Sequence, residues 1–239
     1  MKNPVRTLVV IPTYNEAESL PVLLPALRAA APDVDILIVD DTSPDGTGKI
    51  ADEFAAYDKA INVMHRAGRE KGFAASYLDG FAWALHNDYD VIVEMDSDSS
   101  HRPEDLAGIL AKLDDADLVL GSRWTKGGGI ENWPLKRQLL SRAGSLYARM
   151  MLRIPARDIT TGFRAYKADT LRAINLGDIR TTGYAFQVEL AYRTHQAGLK
   201  IAESPILFVE RVAGVSKMST QIVIEAIIQV TRWGLGLSK

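Results

Sequence analysis

The sequence contains no cysteine, which excludes disulfides and thiolate metal sites and fits a reducing compartment. Long apolar runs are also missing. A membrane-spanning helix needs about 20 apolar residues, and the longest candidate, Ile222 to Val230, is interrupted by Glu225 and Gln229. No secretory leader is expected, because the run Leu8-Val9-Val10-Ile11 is short and Pro12 follows at once. There is no excess of charge: the net charge is -2 and the pI about 6.1, whereas a generic nucleic-acid binder is basic. Internal repeats, low-complexity tracts and interdomain linkers are absent too. What is present, 239 residues with 47% hydrophobic and 24% charged side chains, suffices for a globular fold with a substantial core.

The first half alternates two periodicities. Arg6 to Ile11, Asp35 to Asp40, Ile61 to His65, Asp90 to Met95 and Ala116 to Leu120 are short apolar runs that predict buried strands. Between them, Glu16 to Ala30, Thr47 to Tyr57, Gly72 to His86 and Pro103 to Leu113 have helical spacing. That alternation predicts an α/β fold, a mostly parallel central sheet with helices on both faces. The second half is less regular. Helices are expected over Trp133 to Arg153 and Gln187 to His195, and a short strand over Ile206 to Val209. In such sheets ligands sit at the carboxyl ends of the strands, where three polar clusters fall.

The first cluster is Ile11-Pro12-Thr13-Tyr14-Asn15-Glu16. Pro12 and Tyr14 could support a planar base and Glu16 could accept hydrogen bonds from it, while Asn15 suits a cap for the next helix. The second runs from Val39 through Asp40 and Asp41 to Thr47; a carboxylate there suits a base or ribose hydroxyls, and Asp45 is read as structural. The third is Asp96-Ser97-Asp98-Ser99-Ser100. Two carboxylates two residues apart at a strand end can reach one Mg²⁺ or Mn²⁺, and such an ion would bridge a diphosphate. Taken alone, this third cluster reads better as a solvated turn than as a metal site, and the nearby His101 as structural.

The three clusters together, in this order and spacing, resemble the family 2 glycosyltransferases with the GT-A (Rossmann-like) fold. Later segments resemble the dolichol-phosphate mannosyltransferase branch, also called polyprenol monophosphomannose synthases. These are Gly121-Ser122-Arg123, Gly127-Gly128-Gly129, Asn132-Trp133-Pro134, the run Asp158 to Arg164, Phe186 to Leu190, and Phe208 to Lys217. The resemblance covers roughly residues 5 to 220 and implies one catalytic domain over 1–239, with a nucleotide-sugar half (1–122) and an acceptor half (123–239). It implies that Pro12, Tyr14, Glu16, Val39 and Asp41 hold guanosine. Asp96, Ser97 and Asp98 would surround metal and diphosphate, with Ser100 as a further metal contact where many relatives carry Gln. Arg123, Arg211 and Lys217 would contact phosphates, and Arg164 and Gln187 would lie near the acceptor phosphate and the sugar. Ala185 stands near a position where some relatives carry Lys. The reaction implied is inverting transfer of mannose from GDP-mannose to a polyprenyl phosphate, with Mg²⁺ or Mn²⁺ as cofactor, at the cytoplasmic face of a membrane. Many microbial relatives continue into C-terminal transmembrane helices; this chain does not, which implies a separate membrane-anchor partner or a domain cut from a longer protein.

A phosphate monoester has its second pKa near 6, so at neutral pH it is largely a dianion and needs no general base. The site must instead manage charge. The back half offers Arg123, Lys136, Arg137, Arg142, Arg164, Arg211 and Lys217, of which Lys136 and Arg142 read as solvated surface charges. Membrane contact would fall to Gln138–Leu152 or Ile222–Leu237, where apolar and basic residues mix; both segments could also simply pack. Three alternatives stay open. The donor could be UDP-glucose, or the acceptor a sugar hydroxyl with Glu189 as base, or the chain a non-catalytic nucleotide-binding subunit.

Overall fold

The computed structural model describes residues 4–68, 72–181, 183–210 and 220–237. The front half runs β1 (Thr7–Thr13), α1 (Leu20–Ala30), β2 (Asp35–Asp40), α2 (Thr47–Tyr57), β3 (Ile61–His65), α3 (Phe73–His86), β4 (Val91–Glu94), α4 (Leu106–Ala111) and β5 (Leu118–Ser122). The back half adds β6 (Gly129–Glu131), α5 (Leu135–Leu152), β7 (Arg164–Lys167), α6 (Ala168–Ala173), α7 (Gly183–Gln196), β8 (Ile201–Pro205), β9 (Leu207–Val209) and α8 (Thr220–Gly234). The strands expected from apolar runs are β1 to β5.

Seven strands form one sheet in the order β3-β2-β1-β4-β7-β5-β8, and β6 pairs with β9 in a small parallel ribbon. All pairings in the large sheet are parallel except those of β7, which runs antiparallel to both β4 and β5. The sequence pattern did not predict β7. Its four residues, Arg-Ala-Tyr-Lys, carry no apolar run, yet the strand is central and its first three residues are buried. Strands β8 and β9 are short; Pro205 ends β8, an edge strand, where a missing N–H is tolerated.

The continuous apolarity of β1 and β2 has a direct cause. Leu8, Val10, Leu37 and Val39 face a core shared with Tyr77 and Phe81 of α3, Phe186 of α7 and Val230 of α8. Val9, Ile11, Ile36 and Ile38 face the opposite core, with Leu20, Leu23, Leu24 and Leu27 of α1 and Leu106 and Ile109 of α4. Each such fully buried side chain contributes about 1.5–3 kcal/mol of transfer free energy. Close packing also depends on Gly80: a Cβ there would lie 2.4 Å from Val10 Cγ1, so only glycine lets α3 rest on β1.

Order reverses at β1. From it the chain steps outward to β2 and β3, then returns to place β4 on its other side. The crevice between the ends of β1 and β4 is therefore a topological switch point, the favoured ligand position in open α/β sheets. Asp96 and Thr13 both border it.

Candidate active site

The end expected to hold the nucleotide is built by the loops after β1 and β2. Tyr14 is exposed, while Glu16 is half-buried and its carboxylate accepts from Ser19 Oγ at 2.6 Å. Asp45 takes the structural role expected of it: its carboxylate accepts from the Ala17 N–H at 3.1 Å and from Thr47 Oγ1 at 2.6 Å, tying the two loops together. Asn15 does not cap α1, contrary to expectation; that helix begins at Leu20 after Ser19, and Asn15 adopts a left-handed φ of 61° in the turn. Val39 is fully buried with its side chain in the core beneath α3, so only its backbone borders the site.

Asp41 is not an isolated acceptor. It is buried and receives Arg66 Nη1 at 2.6 Å and the Gly72 N–H at 2.8 Å. Arg66, only 2% exposed, also reaches Asp79 at 2.7 Å and Ser76 at 3.0 Å. Nothing in the sequence marks this arginine, because Asp41 lies on the loop after β2 and Ser76 and Asp79 lie on α3.

The cluster expected to hold a metal follows β4. Asp96 is half-buried; its Oδ1 accepts from the Tyr77 hydroxyl at 3.3 Å, and its N–H donates to His101 Nδ1 at 3.2 Å. His101 is fully enclosed, and burial pushes its pKa down to about 4 despite the nearby Asp98. The ring is therefore neutral at physiological pH, and because Nδ1 accepts, Nε2 carries the proton. The structural reading of His101 holds: it stacks on Phe163 with centroids 5.1 Å apart. Asp98 is half-buried, its Oδ1 accepting from the Ser100 N–H at 3.1 Å, while Ser97 is buried. Gly162 lies against Asp96; a Cβ there would stand 3.1 Å from Asp96 Oδ2.

A divalent cation fits this donor set. Asp96 and Asp98 supply hard oxygens, and the Ser100 Oγ is buried without a hydrogen-bond partner, as a hydroxyl kept for a ligand would be. Among the described residues no cluster of three His, Cys, Asp or Glu side chains is present. The remaining coordination would fall to phosphate oxygens and water, as is usual for Mg²⁺.

Beneath Asp96 lies a buried polar network that the sequence did not announce. Glu94 accepts from Tyr166 Oη at 2.7 Å and from Gln187 Nε2 at 2.6 Å. Burial raises its pKa to about 7 against the opposing pull of Arg164 and these hydrogen bonds. Gln187 is 2% exposed, and its Oε1 is left without a partner.

Two arginines require correction. Arg164 was expected near the acceptor phosphate, but it is fully buried, and its guanidinium donates to the carbonyls of Thr161 (2.7 Å), Gln187 (2.6 Å) and Ile159 (2.5 Å). It holds the turn into β7 and cannot reach a ligand. Arg123 was expected on a phosphate. Its Nε and Nη2 instead bind both oxygens of the fully buried Asp158 at 2.7 Å, within an aromatic cage of Trp124, Trp133 and Phe208. Arg123 is a bidentate ion pair here, with its charge already balanced. Arg211 and Lys217 lie outside the described residues. Ala185 is buried in the core.

Other cations fare differently. Arg137 lies over the Trp133 ring at 5.3 Å and pairs with Glu210 at 2.5 Å, yet its Nε is buried without a partner, as is the nearby Ser141 Oγ. Glu189 is committed to Arg193 (2.8 Å) and Thr181 (2.5 Å) and is buried, so it offers no free base.

Residues 8–174 match the sequence profile of glycosyl transferase family 2. The chain belongs to glycosyl transferase family 2. It is 54% identical over 230 residues to the undecaprenyl-phosphate mannosyltransferase of Micrococcus luteus, covering 96% of this chain and 94% of that one. It is 47% identical over 232 residues to the polyprenol monophosphomannose synthase of Mycolicibacterium smegmatis, covering 96% and 87%. In three dimensions this family 2 chain superimposes on glucosyl-3-phosphoglycerate synthase from Mycobacterium tuberculosis, crystallised with Mn²⁺, UDP and phosphoglyceric acid. The TM-score is 0.70 at 16% identity, over 98% of this chain and 80% of that one, a likeness of fold. The family 2 transferase thus has the GT-A α/β architecture expected of it.

Proposed function

We propose that the chain transfers mannose from GDP-mannose to the phosphate of a polyprenyl lipid, with inversion at the anomeric carbon, giving polyprenyl phosphate mannose and GDP. The observation that carries this reading is whole-length identity of 54% and 47% to two proteins named for mannosyl transfer on such lipids. The loops bearing Pro12, Tyr14, Glu16 and Asp41 would receive the guanosine, and Gln187 would border the sugar. Asp96, Asp98 and Ser100 would hold Mg²⁺ or Mn²⁺, which when bound offsets the charge of the departing diphosphate.

The commitments of the back-half carboxylates support a phosphate acceptor. Glu189 and Asp158 are each spent on an arginine, so neither is placed to deprotonate a sugar hydroxyl. A phosphate dianion needs no such base. Its place in this reading is beside Trp133, where Arg137 Nε and Ser141 Oγ are buried donors without partners. Arg211 and Lys217, outside the described residues, would contact the phosphates. The whole chain acts as one catalytic unit, because β7 and β8 of its back half complete the sheet of its front half.

In this reading the lipid acceptor keeps the enzyme peripherally at the cytoplasmic face of a membrane. Among the described residues no helix is long and apolar enough to cross a bilayer.

The test is incubation with radiolabelled GDP-mannose, Mg²⁺ or Mn²⁺ and a short polyprenyl phosphate, counting label in the organic phase. Metal-dependent transfer is expected, falling by about a hundredfold or more in Asp98→Ala. Transfer from UDP-glucose alone would overturn the donor. Transfer from neither donor, even with membranes supplied, would overturn the lipid-phosphate reading.

A further inference from the structure

Helix α5 carries two faces with different tasks. Ser145, Ala148 and Leu152 are buried, whereas Leu135, Leu139, Leu146 and Met150 are exposed. Helix α8 packs against α5, with Tyr147 Oη and Thr231 Oγ1 2.6 Å apart, and exposes Ile224, Ile227 and Ile228. Five of these exposed side chains are at least half accessible, more than scattered surface apolarity explains.

A cavity of about 160 Å³ opens on the same helix, lined by Trp124, Arg142, Leu146, Arg149 and Arg157. Arg142 lies over the Trp124 ring at 4.4 Å. None of these three arginines has a carboxylate partner among the described residues; the only recorded hydrogen bond of Arg157 is from its backbone N–H to Glu203. By contrast, Arg123, Arg137 and Arg193 nearby are each paired with an acid. The Trp124 Nε1–H is buried and also lacks an acceptor. All three arginines are exposed, so water screens their mutual repulsion; an anion seated in the concavity would meet three guanidiniums, and arginine suits the oxygens of a phosphate.

We infer that this pocket, which adjoins the acceptor place through the Trp124–Trp133 stack but shares neither Arg137 nor Ser141 with it, is a second phosphate site that binds the headgroup phosphodiester of an anionic bilayer phospholipid. Charge complementarity selects the anion. Leu146 in the wall and the exposed leucines and isoleucines beside it select a lipid over a free anion, because they would enter the acyl region as the headgroup seats. Arg142 is thus a ligand-binding residue, where sequence alone reads it as solvated. The inference stands apart from the identity of donor and acceptor, since it concerns vesicles containing neither.

Vesicle co-sedimentation tests it with the full chain. Vesicles of phosphatidylcholine are compared with vesicles in which roughly a third of the lipid is phosphatidylglycerol, at low salt. Expected is binding at least about tenfold tighter to the anionic vesicles, lost in the variant Arg142→Gln/Arg149→Gln/Arg157→Gln. A charge-matched control, Lys49→Gln/Lys59→Gln/Arg172→Gln, alters exposed cations elsewhere and should keep the preference. Thermal melts report that both variants fold. No preference in the wild type, equal loss in the control, or displacement of bound protein by millimolar inorganic phosphate at constant ionic strength would each overturn the proposal.

Discussion

Single residues carry most of what distinguishes this site. Asp158 is fully buried, and among the described residues its carboxylate is paired with Arg123 through two 2.7 Å bonds. Arg123→Ala should therefore destabilise the fold by about 3–5 kcal/mol, measured by urea denaturation, because it leaves a buried carboxylate unpaired. A cost below about 1 kcal/mol would place the guanidinium on a ligand instead. Glu94 gives a pH prediction. Its carboxyl is raised from 4.5 to about 7 by burial, so the folded chain holds that proton more tightly than the unfolded one. The stability it contributes is full below about 4.5 and is lost as pH rises through about 7. Glu94→Gln should flatten the dependence of Tm on pH between 5 and 8, and be the more stable protein at pH 8. The amide is tolerable because Gln187 can turn its unpartnered Oε1 toward it. Parallel Tm profiles in the two proteins would show that Glu94 does not titrate in this window.

At the scale of elements, legibility followed local signal. Strand β2 spans Asp35–Asp40, helix α2 Thr47–Tyr57 and strand β3 Ile61–His65, each as the apolar pattern predicts, because burial on both faces or on one stripe leaves a period in the sequence. Strand β7 was not legible. Its end residues are charged, and it is buried because Tyr166 and Arg164 satisfy their polar atoms on Glu94 and on three carbonyls. The carboxylate pair Asp96 and Asp98 was readable from spacing, whereas Tyr77, Arg66 and Asp158 depend on partners at least 10 residues away. Gly80 belongs to the same class of long-range requirement. Gly80→Ala should cost about 1–3 kcal/mol in chemical denaturation, since its Cβ would lie 2.4 Å from Val10 Cγ1 and α3 would have to lift. An unchanged midpoint would mean that α3 moves freely on the sheet.

For the molecule as a whole, stability and chemistry are separable. Two hydrophobic cores sandwich the sheet, and neither includes Asp96 or Asp98. Chelation with EDTA should abolish transfer while shifting Tm by less than about 3 °C, because little folding free energy rests on a weakly held divalent ion. A large drop in Tm would show that the acidic loop depends on its ion to fold. The placement of β7 has a further result, for the order in which the chain takes shape as it is made. Strand β5 has only β7 and β8 as neighbours, and β4 needs β7 to cover its outer edge. The four strands β3, β2, β1 and β4 can pair as soon as they leave the ribosome, but the ends of β4 and β5 stay unjoined until residue 167 has emerged. The crevice between β1 and β4 can thus take form early, whereas the far side of the sheet waits for a strand that arrives after both of its neighbours and runs backwards into a gap held open for it.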